Sequence, residues 1–160
     1  MTYVQEHLRI LSGFYGILRP SDSIHPYRLE MCAPLKLQGH KSLYSFWGSR
    51  LADVLTEETS HILNLASEEY GKAVRKHLPS KVTMTGVRFA SLVRGKPVEK
   101  GVYCKMARGA MVRFLSEQSI TDLEQAKAFS ELGFQYAPEF SEDKLLVFLR
   151  REEERKLTHK

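Results

Sequence analysis

Apolar positions along the chain mark out short elements of both kinds. Val4, Leu8 and Leu11 fall at i, i+4 and i+7, which predicts an amphipathic helix over 3–12. Ser12-Gly13 ends it, and Pro20 stops any second helix after barely one turn. The stretch HPYRLEM (25–31) reads as extended. Ser42 is placed to cap a helix running to about Leu55, with Leu43, Trp47, Leu51 and Val54 inward. HILNL (61–65) reads as a short buried strand, after which Ser67 caps a helix to Leu78.

Val82, Met84, Val87 and Phe89 follow a strand-like rhythm, RGKP (94–97) reads as a turn and VEKGVYCK (98–105) as the return. A β-hairpin is therefore predicted over 81–105. MARGAMVRFLSEQ (106–118) follows as a helix with Met106, Ala110 and Phe114 on one face. Thr121 with Glu124 suits a capping box for a helix to about Leu132, ended by Gly133. Residues 134–149 predict a second hairpin, and 150–160 a charged tail. The expected fold is α+β: one mixed domain over 1–149 with β-hairpins and several helices. The isolated strand HILNL needs neighbours, so the chain is expected to lack a preceding part of its domain. Ile62, Leu63 or Leu65 should then be unusually exposed, and the chain should tend to self-associate.

Length and composition (160 residues, 42% hydrophobic, 27% charged) are those of an ordinary globular domain. No apolar run approaches a bilayer span and the N-terminus lacks a signal-peptide pattern, so a cytosolic protein without a membrane partner is expected. Cys32 and Cys104 form no C-x-x-C pair, and His7, His25, His40, His61, His77 and His159 show no ligand spacing. No metal site and no cofactor follow from these patterns.

Charge changes the picture. Residues 70–115 carry eleven Lys/Arg against the single acid Glu99, between acidic flanks over 51–69 and 116–149. Such a segment attracts polyanions, unless its bases pair with the flanking acids in the fold. Lys100, Lys105, Arg108 and Arg113 run off the hairpin into the next helix, and the last three share one broad face. Gly109 is expected in that helix's first turn, where open N–H groups hold phosphate.

Catalytic motifs are absent: there is no nucleophile elbow, no Walker A, and no dinucleotide fingerprint. Glu68-Glu69 suits the positive end of a helix dipole. An enzyme acting on a nucleotide or nucleic-acid base would have its best candidates in Asn64, Ser67, Glu69 and Tyr70, at the end of the strand–loop–helix unit. In LSGFYGILRP (11–20), Gly13 and Gly16 either solve a backbone problem or expose N–H groups to an anion. The stretch resembles the hairpin of helix-hairpin-helix DNA-binding elements, although Phe14 and Tyr15 separate glycines that those hairpins space by one residue.

HLRILSGFYGILRPSDSIHPYRLEM, LYSFWG, NLASEEYGKAV, KMARGAMVRFL and FQYAPEFSEDKLLVFLRR occur in the order and spacing of the YaaA family of peroxide stress proteins, which the chain closely resembles. The resemblance covers nearly the whole chain. Two features depart from it. A preceding portion with a Ser-Pro-Ala-Lys segment is absent here, and Cys32 stands where the family form is YRLEMG. The resemblance implies a cytosolic protein of the hydrogen peroxide response that limits iron-promoted DNA damage. It also implies binding to duplex or distorted DNA through a positive cleft with a helix-hairpin-helix element. On that basis Ser12, Gly13 and Gly16 would form the hairpin, and Arg19, Arg28, Lys72, Lys105, Arg108 and Arg113 would neutralise phosphates. Direct iron binding lacks a ligand cluster.

Overall fold

The computed structural model describes residues 2–37, 39–99 and 101–150, in two compact units that meet in sequence between Thr85 and Gly86. In the first, the opening helix α1 (Thr2–His7) is shorter than the 3–12 pattern predicts. Ile10–Ser12 (β1) pairs antiparallel with Gly16–Leu18 (β2) instead, in the register Ile10↔Leu18, Leu11↔Ile17 and Ser12↔Gly16. Hairpin pairing claims Leu11, the last of the three residues on which the helical spacing rested.

The helix predicted over 42–55 is two helices. Ser42 caps α2 (Leu43–Trp47) in a reciprocal capping box with Ser45. Gly48, at φ +52°, takes the chain out of helical geometry, and α3 (Arg50–Glu58) starts in a new direction. The turn changes which side chains face inward. Leu43, Leu51, Ala52 and Leu55 are buried, Trp47 is half-buried, and Val54 is exposed. With Met31, Ala73 and Val74 they form the core of this unit.

Strand β3 (His61–Asn64) and helix α4 (Glu68–Arg75) follow. The helix stops before Leu78 because Pro79 disfavours helical geometry in the residue ahead of it. Thr83 N–H donates to the Ser60 carbonyl at 2.9 Å where β4 (Thr83–Val93) opens beside β3. On its other side β3 has no strand among the described residues. Ile62, Leu63 and Leu65 are only half-buried, as expected for such an edge.

The second unit is built on β4 and β7 (Leu145–Arg150), which run parallel with Gly86↔Leu145 through Ser91↔Arg150 in register. β6 (Phe134–Tyr136) lies antiparallel to β7, so the predicted second hairpin is present. The first hairpin is shorter than expected. Arg94 and Gly95, both at positive φ, turn β4 into β5 (Lys96–Val98), and the chain is helical again from Gly101.

Helix α5 (Gly101–Glu117) buries Cys104, Ala107 and Met111, an i, i+3, i+7 stripe that extends into the predicted return strand. Met106, expected inward, is exposed, and Ala110 and Phe114 are half-buried. Gly109 sits mid-helix rather than in the first turn, so its N–H belongs to the helix ladder. Asp122, not Thr121, caps α6 (Leu123–Ala126), accepting the Glu124 N–H at 2.9 Å. That helix ends well before Leu132. Phe129 turns inward, and Leu132 and Gly133 at positive φ lead into β6.

Phe89, Phe129, Phe134 and Phe148 are fully buried, with ring centroids 5.3–5.7 Å apart in edge-on and tilted contacts. The Cys104 thiol donates to the Phe89 carbonyl at 3.0 Å and ties α5 to β4. Phe89→Ala, which opens a cavity at the centre of this cluster, should lower unfolding free energy by about 3–5 kcal/mol in urea titration.

Candidate functional site

The turn of LSGFYGILRP is closed from inside. Ser12 is buried, and its Oγ accepts the N–H groups of Tyr15 at 2.8 Å and Phe14 at 3.2 Å while bonding the Tyr27 hydroxyl. Those two N–H groups are therefore not available to an anion. The Gly13 carbonyl accepts the Trp47 indole N–H at 3.0 Å. A Cβ on Gly13 would meet the Leu29 carbonyl at 2.8 Å, and one on Gly16, at φ +80°, would meet the Trp47 ring at 2.8 Å. Both glycines solve a packing problem. Strands rather than helices flank the turn directly, and the next helix after β2 begins only at Leu43.

Around this turn lie aromatic rings. Phe14 and Tyr27 are exposed, 5.4 Å apart, and each meets Tyr15 edge-on. The loop carrying Tyr27 continues to Cys32 and meets the start of α4. Glu69 Oε1 accepts the Cys32 N–H at 3.0 Å, and the Glu69 carbonyl accepts the Tyr44 hydroxyl at 3.0 Å. Lys72 Nζ lies 4.4 Å from the centre of the Tyr44 ring. Tyr70, next in sequence to Glu69, is half-buried. Burial, and then the Glu69 charge, raise its pKa and keep it neutral.

Asn64 is buried against Gly71 and accepts the Ala66 N–H at 3.1 Å, which makes it a fastener of the β3–α4 turn. Ser67 occupies the N-cap of α4 without a side-chain capping bond. Thus Glu69 meets the 27–32 loop and Lys72 stands over Tyr44, whereas Asn64 is turned into the fold.

The predicted phosphate contacts differ in what holds them. Arg19 pairs with Glu58 at 2.9 Å, while Arg28 is exposed with no ion pair among the described residues. In the second unit Lys105 is exposed with no ion pair among the described residues, Arg108 meets Glu99 at 3.2 Å, and Arg113 pairs with Glu131 and Glu117. Lys100 lies outside the described residues.

One feature was not legible in the pattern. A cleft of about 430 Å³ opens between the β1–β2 hairpin and α3, lined by Arg9, Arg19, Arg50, Glu58, Tyr15 and Trp47 among others. Glu58 bridges two guanidiniums, at 2.7 Å to Arg9 and 2.9 Å to Arg19. Partial burial pulls the Glu58 carboxyl upward, but hydrogen bonds from Arg19 and Arg9 outweigh it and hold the pKa below its usual value. Arg9 and Arg19 are ten residues apart, so only the hairpin brings them together. Among the described residues no three His, Cys, Asp or Glu side chains are grouped to hold a metal ion, and no helix is long and apolar enough to cross a membrane.

The model of the family described as "Peroxide stress protein YaaA" matches residues 1–140. The chain belongs to that family. Curated relatives carry the name UPF0246 protein. One from Desulfitobacterium hafniense is 49% identical over 148 residues, 92% of this chain and 59% of that protein. One from Lachnoclostridium phytofermentans is 47% identical over 152 residues, covering 95% of this chain and 60% of the relative. A third, from Lacticaseibacillus paracasei, is 45% identical over 149 residues, 93% and 60% of the two chains. The chain thus spans about 60% of the length of these relatives.

In this member of the family Cys32 is exposed, but Glu69 governs it. The hydrogen bond from the thiol to that carboxylate, with burial and charge adding to it, raises the thiol pKa. The thiolate is the reactive form, so Cys32 should be slow to alkylate near neutral pH. Glu69→Gln should move the midpoint of its iodoacetamide rate–pH profile downward, and an unchanged midpoint would refute this coupling. Gly16→Ala combines positive-φ strain with contact on Trp47, and should lower stability by about 1–3 kcal/mol in thermal denaturation.

Proposed function

We propose that this protein acts in the peroxide stress response, in the cytosol, by binding DNA without sequence specificity, which helps limit iron-promoted damage to it. The observation that carries this reading is the set of bases left over after the acids have taken theirs. Arg75, Arg88, Arg108 and Arg113 of the basic segment all meet carboxylates. Lys72, Lys76 and Lys81 in the first unit, and Arg94, Lys96 and Lys105 in the second, are exposed without an ion pair among the described residues. Arg28 is equally free, next to the exposed Tyr27. Unpaired bases, with the exposed Tyr27 ring beside Arg28, suit a phosphate backbone with unstacked bases, the chemistry of distorted or single-stranded DNA. Solvated lysines hold phosphates as point charges and carry no base readout.

A filter-binding salt titration tests it. Affinity should fall log-linearly with salt, with a slope of about −0.9 for each phosphate contacted on duplex, and little difference between sequences. Lys72→Ala should make the slope shallower by about one contact. An affinity that does not change with salt would overturn the reading.

One observation favours a second reading, an enzyme acting on a nucleotide or base: Glu69 meets the 27–32 loop through the Cys32 N–H and meets through its carbonyl the same Tyr44 on which Lys72 lies. Turnover of a nucleotide that Glu69→Gln abolishes would establish it in place of the first.

A further inference from the structure

The cleft between the hairpin and α3 has two kinds of lining, the charged side chains of Arg9, Arg19 and Arg50 and the apolar ones of Trp47, Leu51 and Val54. Arg9 and Arg19 come from the hairpin side, and Arg50 shares α3 with Leu51 and Val54. Val54 is 45% exposed on an otherwise well-packed helix, and the cleft is what it faces.

The charged lining is pre-set. Arg9 donates to the Gln5 carbonyl at 3.2 Å and the Leu8 carbonyl at 2.9 Å as well as to Glu58, so its guanidinium has one position. Arg19 uses one nitrogen on Glu58 and is otherwise half in solvent, leaving donors open. Arg50 pairs with no acid among the described residues. Its guanidinium lies 5.0 Å from the centre of the Phe46 ring, which fixes it without neutralising it. Three guanidiniums therefore face two carboxylates, Glu58 and Asp22, and the balance is positive.

A planar guanidinium with open donors is suited to the paired oxygens of a phosphate. An indole edge from α2 and a phenol from the hairpin turn suit a flat heterocycle. The volume lies within the range of small-molecule sites. We infer that this cleft binds a nucleoside monophosphate, its phosphate on Arg19 and Arg50 and its base against Trp47 and Tyr15.

Trp47 is the single tryptophan of the chain, so its fluorescence reports the cleft directly. The 160-residue chain is titrated with AMP, with adenosine and with inorganic phosphate, in the absence of DNA. AMP should change the emission saturably and bind at least tenfold more tightly than either fragment. Arg50→Ala, at an exposed side chain without an ion pair, should weaken AMP at least tenfold with unchanged circular dichroism. No saturable response to AMP overturns the inference. So does phosphate binding as tightly as AMP, which would make the cleft an anion site only, or unaltered AMP affinity in Arg50→Ala. Because no DNA is present, loss of DNA binding and loss of this site are separate results.

Discussion

Everything in the first unit that bears on function is referred to one contact, the Trp47 indole on the hairpin turn. Its N–H closes on the Gly13 carbonyl and its ring lies where a side chain at position 16 would be. That contact needs two residues without a Cβ, three apart, and a turn whose N–H groups are satisfied from within. Ser12 supplies the second condition by accepting from Phe14 and Tyr15. With the turn held, β2 carries Arg19 back to Arg9, and both reach Glu58 at the end of α3. The cleft, the exposed rings of Phe14 and Tyr27 and the 27–32 loop are all arranged around it.

Where the sequence conveyed the fold, it did so through local chemistry that no tertiary contact opposed. Ser42 before an apolar helix, the β3–loop–α4 passage and the strongly apolar β7 were legible for that reason. It failed where two local rules competed. Val4, Leu8 and Leu11 have helical spacing, but strand pairing with Ile17 claims Leu11. Met106, Ala110 and Phe114 have helical spacing too, yet the helix starts earlier and turns Cys104, Ala107 and Met111 inward. Small side chains at that face let the helix approach closely, and small residues give a weak signal in an apolar pattern. Of the candidate site, Glu69 and Tyr70 were read from the strand–loop–helix and Lys72 as a phosphate contact. Arg9, Arg50 and Glu58 were not, because forty residues separate the arginines and only the folded hairpin makes them neighbours.

Asn64 and Gly13 show how a polar or glycine residue in a suggestive place is absorbed by the fold. Asn64 stands at the end of a strand, where ligands often bind, yet its amide is used on the Ala66 N–H and against Gly71. Cys32 is the reverse case: exposed, in a protein of a peroxide stress family, but beside a carboxylate that disfavours the thiolate. A direct thiol reaction with peroxide would begin from the less reactive protonation state.

Most ion pairs among the described residues are made by arginine, although Arg28, Arg50 and Arg94 meet no carboxylate there. Arg9, Arg19, Arg75, Arg88, Arg108 and Arg113 all meet carboxylates, as a planar fork of donors favours. Lys72, Lys76, Lys81, Lys96 and Lys105 meet none among the described residues, although Lys127 does meet Glu124. The two kinds of base are suited to different anions. Solvated lysines on flexible stems attract a polymer of phosphates from any direction, weakly per contact and subject to screening. Arginines fixed by backbone carbonyls, a carboxylate and a phenyl ring keep their geometry before any ligand arrives, and an anion small enough to enter the cleft meets donors already in place. A long duplex gains little from such a recess, since its phosphates lie on a convex surface. A single phosphate on a small heterocycle can use both kinds of lining at once.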